Sequence, residues 1–249
     1  MDALTALHDR VIAQPRNDDA RLRYAAALRP TDPARAEFIV LQVEYSKAKR
    51  TGASVPDTYV RRQVLYDTHR AEWSAELESL GVSSQFLRGF PEWIFADAAR
   101  FLAIADELYR RAPVLHLTLT GVKPMAAALF ESPHLARILT MDLSRNELGD
   151  AEAKLIAESS RLGALQWLDL AQNQIGMRGL EALAASTKLP HVDYLGFGSN
   201  LVDDPTPPHA DEYDVDSPVA VELQRRFGPR AWLSARPRAN WPPYREYIA

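Results

Sequence analysis

Apolar residues recur in this chain with two different periods, and the change from one to the other divides it. Through the first eighty residues the spacing is helical. Leu4, Leu7 and Val11 share one helical face that Pro15 ends. Asn17-Asp-Asp opens a second helix through Leu22, Ala26 and Leu28, which stops before Pro30. Asp32 followed by Pro33 reads as an N-cap and a first-turn proline. The helix behind them places Phe38, Leu41 and Tyr45 on one side. Residues 51–56 form a linker, and a fourth helix over 58–80 presents Val60, Val64, Trp73 and Leu77.

Further on the pattern becomes L-x-x-L-x-L-x-x-N-x-L, written three times. The copies are Ile138, Met141, Leu143, Asn146, Leu148; then Leu165, Leu168, Leu170, Asn173, Ile175; then Val192, Leu195, Phe197, Asn200, Val202. Asn146, Asn173 and Asn200 stand 27 residues apart at both steps, within the range of a leucine-rich repeat. Steps of 24 carry the ladder back to Leu117 and Leu119, then to Trp93 and Phe95. Ala98 and Val122 replace asparagine in these two early coils, which read as an N-terminal cap of the array. The Asn side chains are expected to bond backbone groups of each turn. Between strands, helices beginning at Asp150 and Arg178 turn Leu155, Ile156, Leu180 and Leu183 inward.

The expected fold is α/β: a leucine-rich-repeat solenoid with a parallel concave sheet and convex helices, preceded by a helical cap domain. Its parts are 1–80 (helices), 81–202 (repeats), 203–217 (an acidic, proline-rich loop) and 218–249 (a C-terminal cap and basic-aromatic tail). Within the last part, 219–227 reads as a helix closed by Gly228, and Ala231-Trp-Leu as a final strand.

Two stretches carry a family resemblance. Asp18-Asp-Ala-Arg-Leu-Arg-Tyr-Ala followed by Asp32-Pro-Ala-Arg-Ala-Glu-Phe-Ile-Val-Leu-Gln resembles the bacterial repeat-companion domain. Arg88-Gly-Phe-Pro-Glu, the acid-capped helix from Asp97, and Ala112-Pro-Val-Leu-His-Leu-Thr-Leu-Thr-Gly-Val resemble the segment that usually succeeds that domain. Where the family commonly has Tyr-Ala-Asp-Trp-Leu, this chain has Tyr24-Ala-Ala-Ala-Leu28, without the aromatic and the carboxylate. The resemblance implies a bacterial protein with ribonuclease-inhibitor-like repeats, and it offers no catalytic residue.

Composition narrows the chemistry. Of 249 residues 47% are hydrophobic and 25% charged, which suits a globular chain, and the net charge of −4 gives no general attraction to nucleic acid or anionic membrane. Without cysteine there is no disulfide, thiolate nucleophile or Cys-ligated zinc. The start lacks the basic and apolar regions of a secretory signal, so a cytoplasmic location is expected. The six histidines show no metal-ligand spacing, and Gly196-Phe-Gly198-Ser-Asn fits neither G-x-S-x-G nor G-x-G-x-x-G. Asp211, Asp214 and Asp216 do not fit the EF-hand spacing. No metal and no cofactor is expected.

The strand positions between the ladder residues point away from the core and form the candidate partner site. One column is His116, Thr140, Trp167, Tyr194; the next contains Asp142 and Asp169 beside Thr118 and Gly196. Aromatics next to carboxylates suit a basic or mixed protein segment. Equally, Trp167 and Tyr194 could stack on each other or on the returning C-terminal tail. The chain is therefore expected to be a non-catalytic protein-interaction module. The alternative is a regulatory or maturation factor that binds a peptide or nucleic acid through the arginines and aromatics of 225–247.

Overall fold

The computed structural model describes residues 2–54, 58–202 and 218–234. The fold is mixed α/β with a mostly parallel arrangement of strands. The chain divides into two compact units, Met1–Phe95 with Ile104–Leu115, and Ala96–Ala103 with His116–Ala249.

The first unit is built from α1 (Ala3–Ala13), α2 (Asp18–Leu28), α3 (Pro33–Thr51), α4 (Tyr59–Glu78) and an antiparallel hairpin of β1 (Ser83–Leu87) and β2 (Phe90–Asp97). Three helices start where a side chain accepts from the first turn. Asp2 Oδ1 takes Thr5 N at 2.7 Å, Asn17 Oδ1 takes Ala20 N at 3.1 Å, and Asp32 Oδ1 takes Arg35 N at 2.8 Å. On α4 the inward residues are Leu65 and Leu77, whereas Val60 and Val64, which the spacing turned inward, are exposed. The phase of that helix is set by Phe86 and Phe38, against which Leu65, Tyr66 and Trp73 pack. A second core joins Val11, Ala25, Leu28, Ile39 and Val43 to Phe90.

The hairpin is therefore part of the helical unit's core. Its turn, Arg88-Gly89, has φ of 50° and 82°, as a two-residue turn between twisted strands requires. Gly89 is pressed onto α3: a Cβ there would lie 2.5 Å from Ile39 Cα, and its N–H donates to Gln42 Oε1 at 2.7 Å. Trp93 and Phe95 were expected in a repeat coil. Both stand in β2, whose edge toward β1 is antiparallel, and Trp93 and its neighbour Ile94 are both buried.

In the second unit the strands are β3 (His116–Thr120), β4 (Thr140–Asp142), β5 (Trp167–Asp169) and β6 (Tyr194–Gly196), paired in parallel in that order. Leu117 pairs with Met141, Met141 with Leu168 and Leu168 with Leu195, which is the register that the 24- and 27-residue steps predict. All four are buried, as are Leu119, Leu143, Leu170 and Phe197. After α5 (Ala98–Arg111) and α6 (Ala126–Glu131), the helices between the later strands, α7 (Asp150–Glu158) and α8 (Met177–Ala185), pack side by side. Ile156, Leu180 and Leu183 point inward, but Leu155 is exposed and Ala153 and Ala157 take the inner face of α7. The Asp150 carboxylate reaches the next helix and accepts from Gly176 N at 2.7 Å and Gly179 N at 2.9 Å.

At the end come α9 (Pro218–Phe227) and α10 (Ala231–Ser234). The segment read as a last strand is thus a helical turn, anchored by buried Trp232 and Leu233 and by Gln224 Nε2, which donates to Leu233 O at 2.6 Å. The acidic loop 203–217 lies outside the described residues. Among the described residues, no helix is long and apolar enough to cross a membrane.

Candidate functional site

The parallel register fixes which side chains stand together on the sheet face opposite the Leu117, Met141, Leu168, Leu195 ladder. His116, Thr140, Trp167 and Tyr194 are Cα partners from strand to strand and make one row. His116 Nδ1 lies 2.8 Å from Thr140 Oγ1. The rings of Trp167 and Tyr194 stack with centroids 5.2 Å apart and planes 5° from parallel. Neighbouring strands about 4.8 Å apart place two flat side chains in this relation without distortion.

This row was expected to face solvent, and most of it does not. Trp167 and Thr140 are each 1% exposed and His116 is buried; only Tyr194 is half-buried. Trp167 ranks among the largest fully buried side chains. The stack on Tyr194 closes one ring face, so the correction follows from tertiary packing that strand alternation does not report.

The second row is more open. Thr118 pairs with Asp142, Asp142 with Asp169 and Asp169 with Gly196, and the three side chains are half-buried. Each carboxylate holds the turn that comes after its strand. Asp142 Oδ1 accepts from Ser144 N at 3.0 Å, and Asp169 Oδ1 accepts from Ala171 N at 2.8 Å. A Cβ on Gly196 would lie 2.4 Å from Asp169 Oδ1, so the carboxylate leans into space that only glycine leaves open. The site thus sets two acidic groups on adjacent strands beside a stacked aromatic pair.

Below the face, the asparagines brace the turns. Asn173 Oδ1 accepts from Asn146 N at 2.9 Å and Leu148 N at 3.0 Å, and its Nδ2 donates to Leu143 O and Leu170 O. Asn146 does the same for Val122 N and Leu119 O, and Asn200 for Ile175 N and Leu170 O. The residue before each asparagine, Arg145, Gln172 and Ser199, has a positive φ of 56–59°. That recurring left-handed step aims the amide into the coil.

Part of the basic C-terminal segment is already engaged. Arg225 pairs with Glu222, Arg226 with Glu181, and Arg230 Nε donates to Ala184 O at 2.8 Å. Arg236, Arg238, Trp241 and Arg245 lie outside the described residues. Among the described residues, no group of three or more His, Asp or Glu is placed to hold a metal ion.

Sequence reasoning missed a buried charge network in the first unit. Arg21 Nη2 meets Glu92 Oε1 at 2.5 Å, and Arg88 joins Glu92 Oε2 at 2.8 Å and Asp18 Oδ1 at 3.2 Å. Both arginines also donate to Pro15 O. Opposite charges at Asp18 and Arg21, and again at Arg88 and Glu92, are the signal that could have found it. Arg35 is a second case: its guanidinium lies 4.7 Å from the Trp73 centroid and 4.8 Å from that of Phe86, and burial pulls its pKa down to about 10.

Compared with protein-family models, with curated proteins and with solved structures, the chain matches none.

Proposed function

We propose that this chain is a non-catalytic leucine-rich-repeat module, headed by helices of the repeat-companion type, that binds a basic segment of a protein partner on the face of β3–β6. The 24- and 27-residue steps that become strand register, and the asparagines that brace successive turns alike, support the repeat reading. One observation carries the functional reading: Asp142 and Asp169 stand in register on neighbouring strands next to the Trp167–Tyr194 stack. Half-buried carboxylates attract and orient cationic side chains, and half-buried Tyr194, held rigid by the buried Trp167 beneath its stack, supplies contact area at small entropic cost. The carboxylates are held by their own turns, which suits recognition by a fixed surface. We assign the module to the cytoplasm as part of the same proposal.

Peptide display against the purified chain tests this. Selected peptides should carry Lys or Arg next to an aromatic or apolar residue. The Asp142→Asn/Asp169→Asn variant keeps the turn acceptors and should bind them at least tenfold more weakly, with a flatter dependence on salt. Selection indifferent to charge, or equal affinity in the variant, would overturn the reading.

A further inference from the structure

We propose that Arg35, in the helical unit, anchors a binding site for a small organic monocarboxylate, held between its guanidinium and the aromatic side chains around it. The site owes nothing to the sheet face of β3–β6, and either reading can fail without the other.

The first observation is a buried cation without a counter-ion. Arg35 Nη1 meets neither solvent nor a hydrogen-bond acceptor among the described residues. Arg21 and Arg88, in the same unit, each meet a carboxylate. Asp32, the N-cap of α3, acts on Arg35 through space but spends Oδ1 on the backbone N–H of Arg35, at 2.8 Å. Arg35 also stands in the first turn of α3, where the helix dipole is positive and opposes a further cation. Burial lowers its pKa to about 10, so the group still carries its charge at neutral pH. A buried charge left in this condition is costly, and an anion that reaches it gains what the fold leaves unspent.

The second is the shape of the surroundings. The guanidinium carbon lies 4.7 Å from the Trp73 centroid and 4.8 Å from that of Phe86, and the two centroids are 6.4 Å apart. Rings on opposite sides of the cation would be separated by nearly the sum of the first two distances. Trp73 and Phe86 therefore form a corner around it and do not sandwich it. Phe38 and Phe90 lie farther off, at 5.9 and 5.6 Å. The rings ease the charge but accept N–H bonds only weakly. Phe38, Phe86 and Phe90 are buried, whereas Arg35 and Trp73 are half-buried, as are Tyr24 and His8, which pack together and against Phe90. The floor is closed and the rim reaches solvent, which gives a small molecule access to the guanidinium.

The third is charge. One cation calls for one negative charge. His8 adds no second cation at neutral pH, since burial holds its pKa below 6.5. Asp32 acts on Arg35, and Asp9 and Glu76 act on His8, so a dianion would be repelled. A carboxylate matches the planar fork of a guanidinium, and a flat apolar body matches the rings beside it.

The full-length protein is titrated at neutral pH and constant ionic strength with benzoate, with benzamide and with inorganic phosphate, and followed by protein NMR. Benzoate should bind in the millimolar range, at least about tenfold more tightly than its uncharged isostere benzamide, and should shift the Trp73 indole signal and the amides of 34–36. Phosphate should bind more weakly than benzoate. Arg35→Met removes the cation and keeps an apolar stem, and it should lose the benzoate response while Arg21 and Arg88 remain. Equal binding of benzoate and benzamide, or benzoate shifts confined to other parts of the chain, would overturn the site. Tighter binding of phosphate would overturn the monocarboxylate assignment, and a folded Arg35→Met that binds benzoate as the parent does would overturn the anchor. Should Arg35→Met fail to fold, the parent titration decides alone.

Discussion

Arg21 and Glu92 face each other at 2.5 Å with both side chains fully buried, although 71 residues separate them in the chain. Arg88 closes the arrangement from the hairpin turn, so that Glu92 compensates two guanidinium groups. Removing one member of a buried pair leaves charge without its counter-ion in low dielectric, which costs about 3–5 kcal/mol. Glu92→Gln should therefore lower the stability of the helical unit by that amount in urea unfolding. Glu37→Gln, which breaks the exposed pair with Arg61, should leave the midpoint nearly unmoved.

Asn173 and Gln172 are neighbours with opposite expectations. Asn173→Ala removes the acceptor of the Asn146 and Leu148 N–H groups and a donor to the carbonyls of Leu143 and Leu170, of which Leu170 O keeps Asn200 Nδ2, for a loss on the order of 3 kcal/mol. Gln172 is exposed with φ of 56°, and Gln172→Gly relieves that conformation while adding chain entropy, so it should stay within about 1 kcal/mol of the parent. Equal melting temperatures for the two variants would remove the asparagines from the account of the fold.

Gly89 and Gly52 separate close contact from conformation alone. Both have positive φ, but only Gly89 would bring a Cβ within 2.5 Å of a backbone atom, Ile39 Cα; nothing lies within 4 Å of Gly52. Gly52→Ala should cost about 1 kcal/mol, and Gly89→Ala at least about 3 kcal/mol, since strain and overlap add. Comparable losses would show that α3 yields to the hairpin.

His8 gives the helical unit a pH dependence. It packs 5.5 Å from the Tyr24 ring centroid and 6.1 Å from that of Phe90, and burial pushes its pKa below 6.5 against the opposing pull of Asp9 and Glu76. As pH falls through 6.5 the unfolded chain takes a proton that the folded one refuses. The contribution is thus complete above 6.5 and declines below it, toward the lower folded pKa. His8→Phe should flatten that decline between pH 7 and pH 5 in urea midpoints. An unchanged slope would assign it to other groups.

Trp167→Ala should act on folding before it acts on binding. A fully buried indole costs about 3–5 kcal/mol when truncated, whereas Trp167→Phe keeps most of the volume and the stack on Tyr194. A melting temperature unmoved by Trp167→Ala would show that the row is open to solvent after all.

The periodic part of the molecule is written in the chain itself. Leucine-like residues at steps of 24 and 27 became strand register, and the asparagines stand beneath them, because local patterns repeated in phase can be satisfied only by neighbours in the same order. Helix starts at Asn17 and Asp32 were legible for a similar reason: a cap is a contact across three residues. Packing between distant elements settled the remainder. Val60, Val64 and Leu155 carry apolar side chains outward because the facing elements meet Leu65, Leu77 and Ile156 instead. Strand alternation turned Trp167 away from the core ladder but could not say whether water meets it there. Arg21 with Glu92, and Gly89 with Ile39, are relations across 50 to 71 residues, and no local period records them.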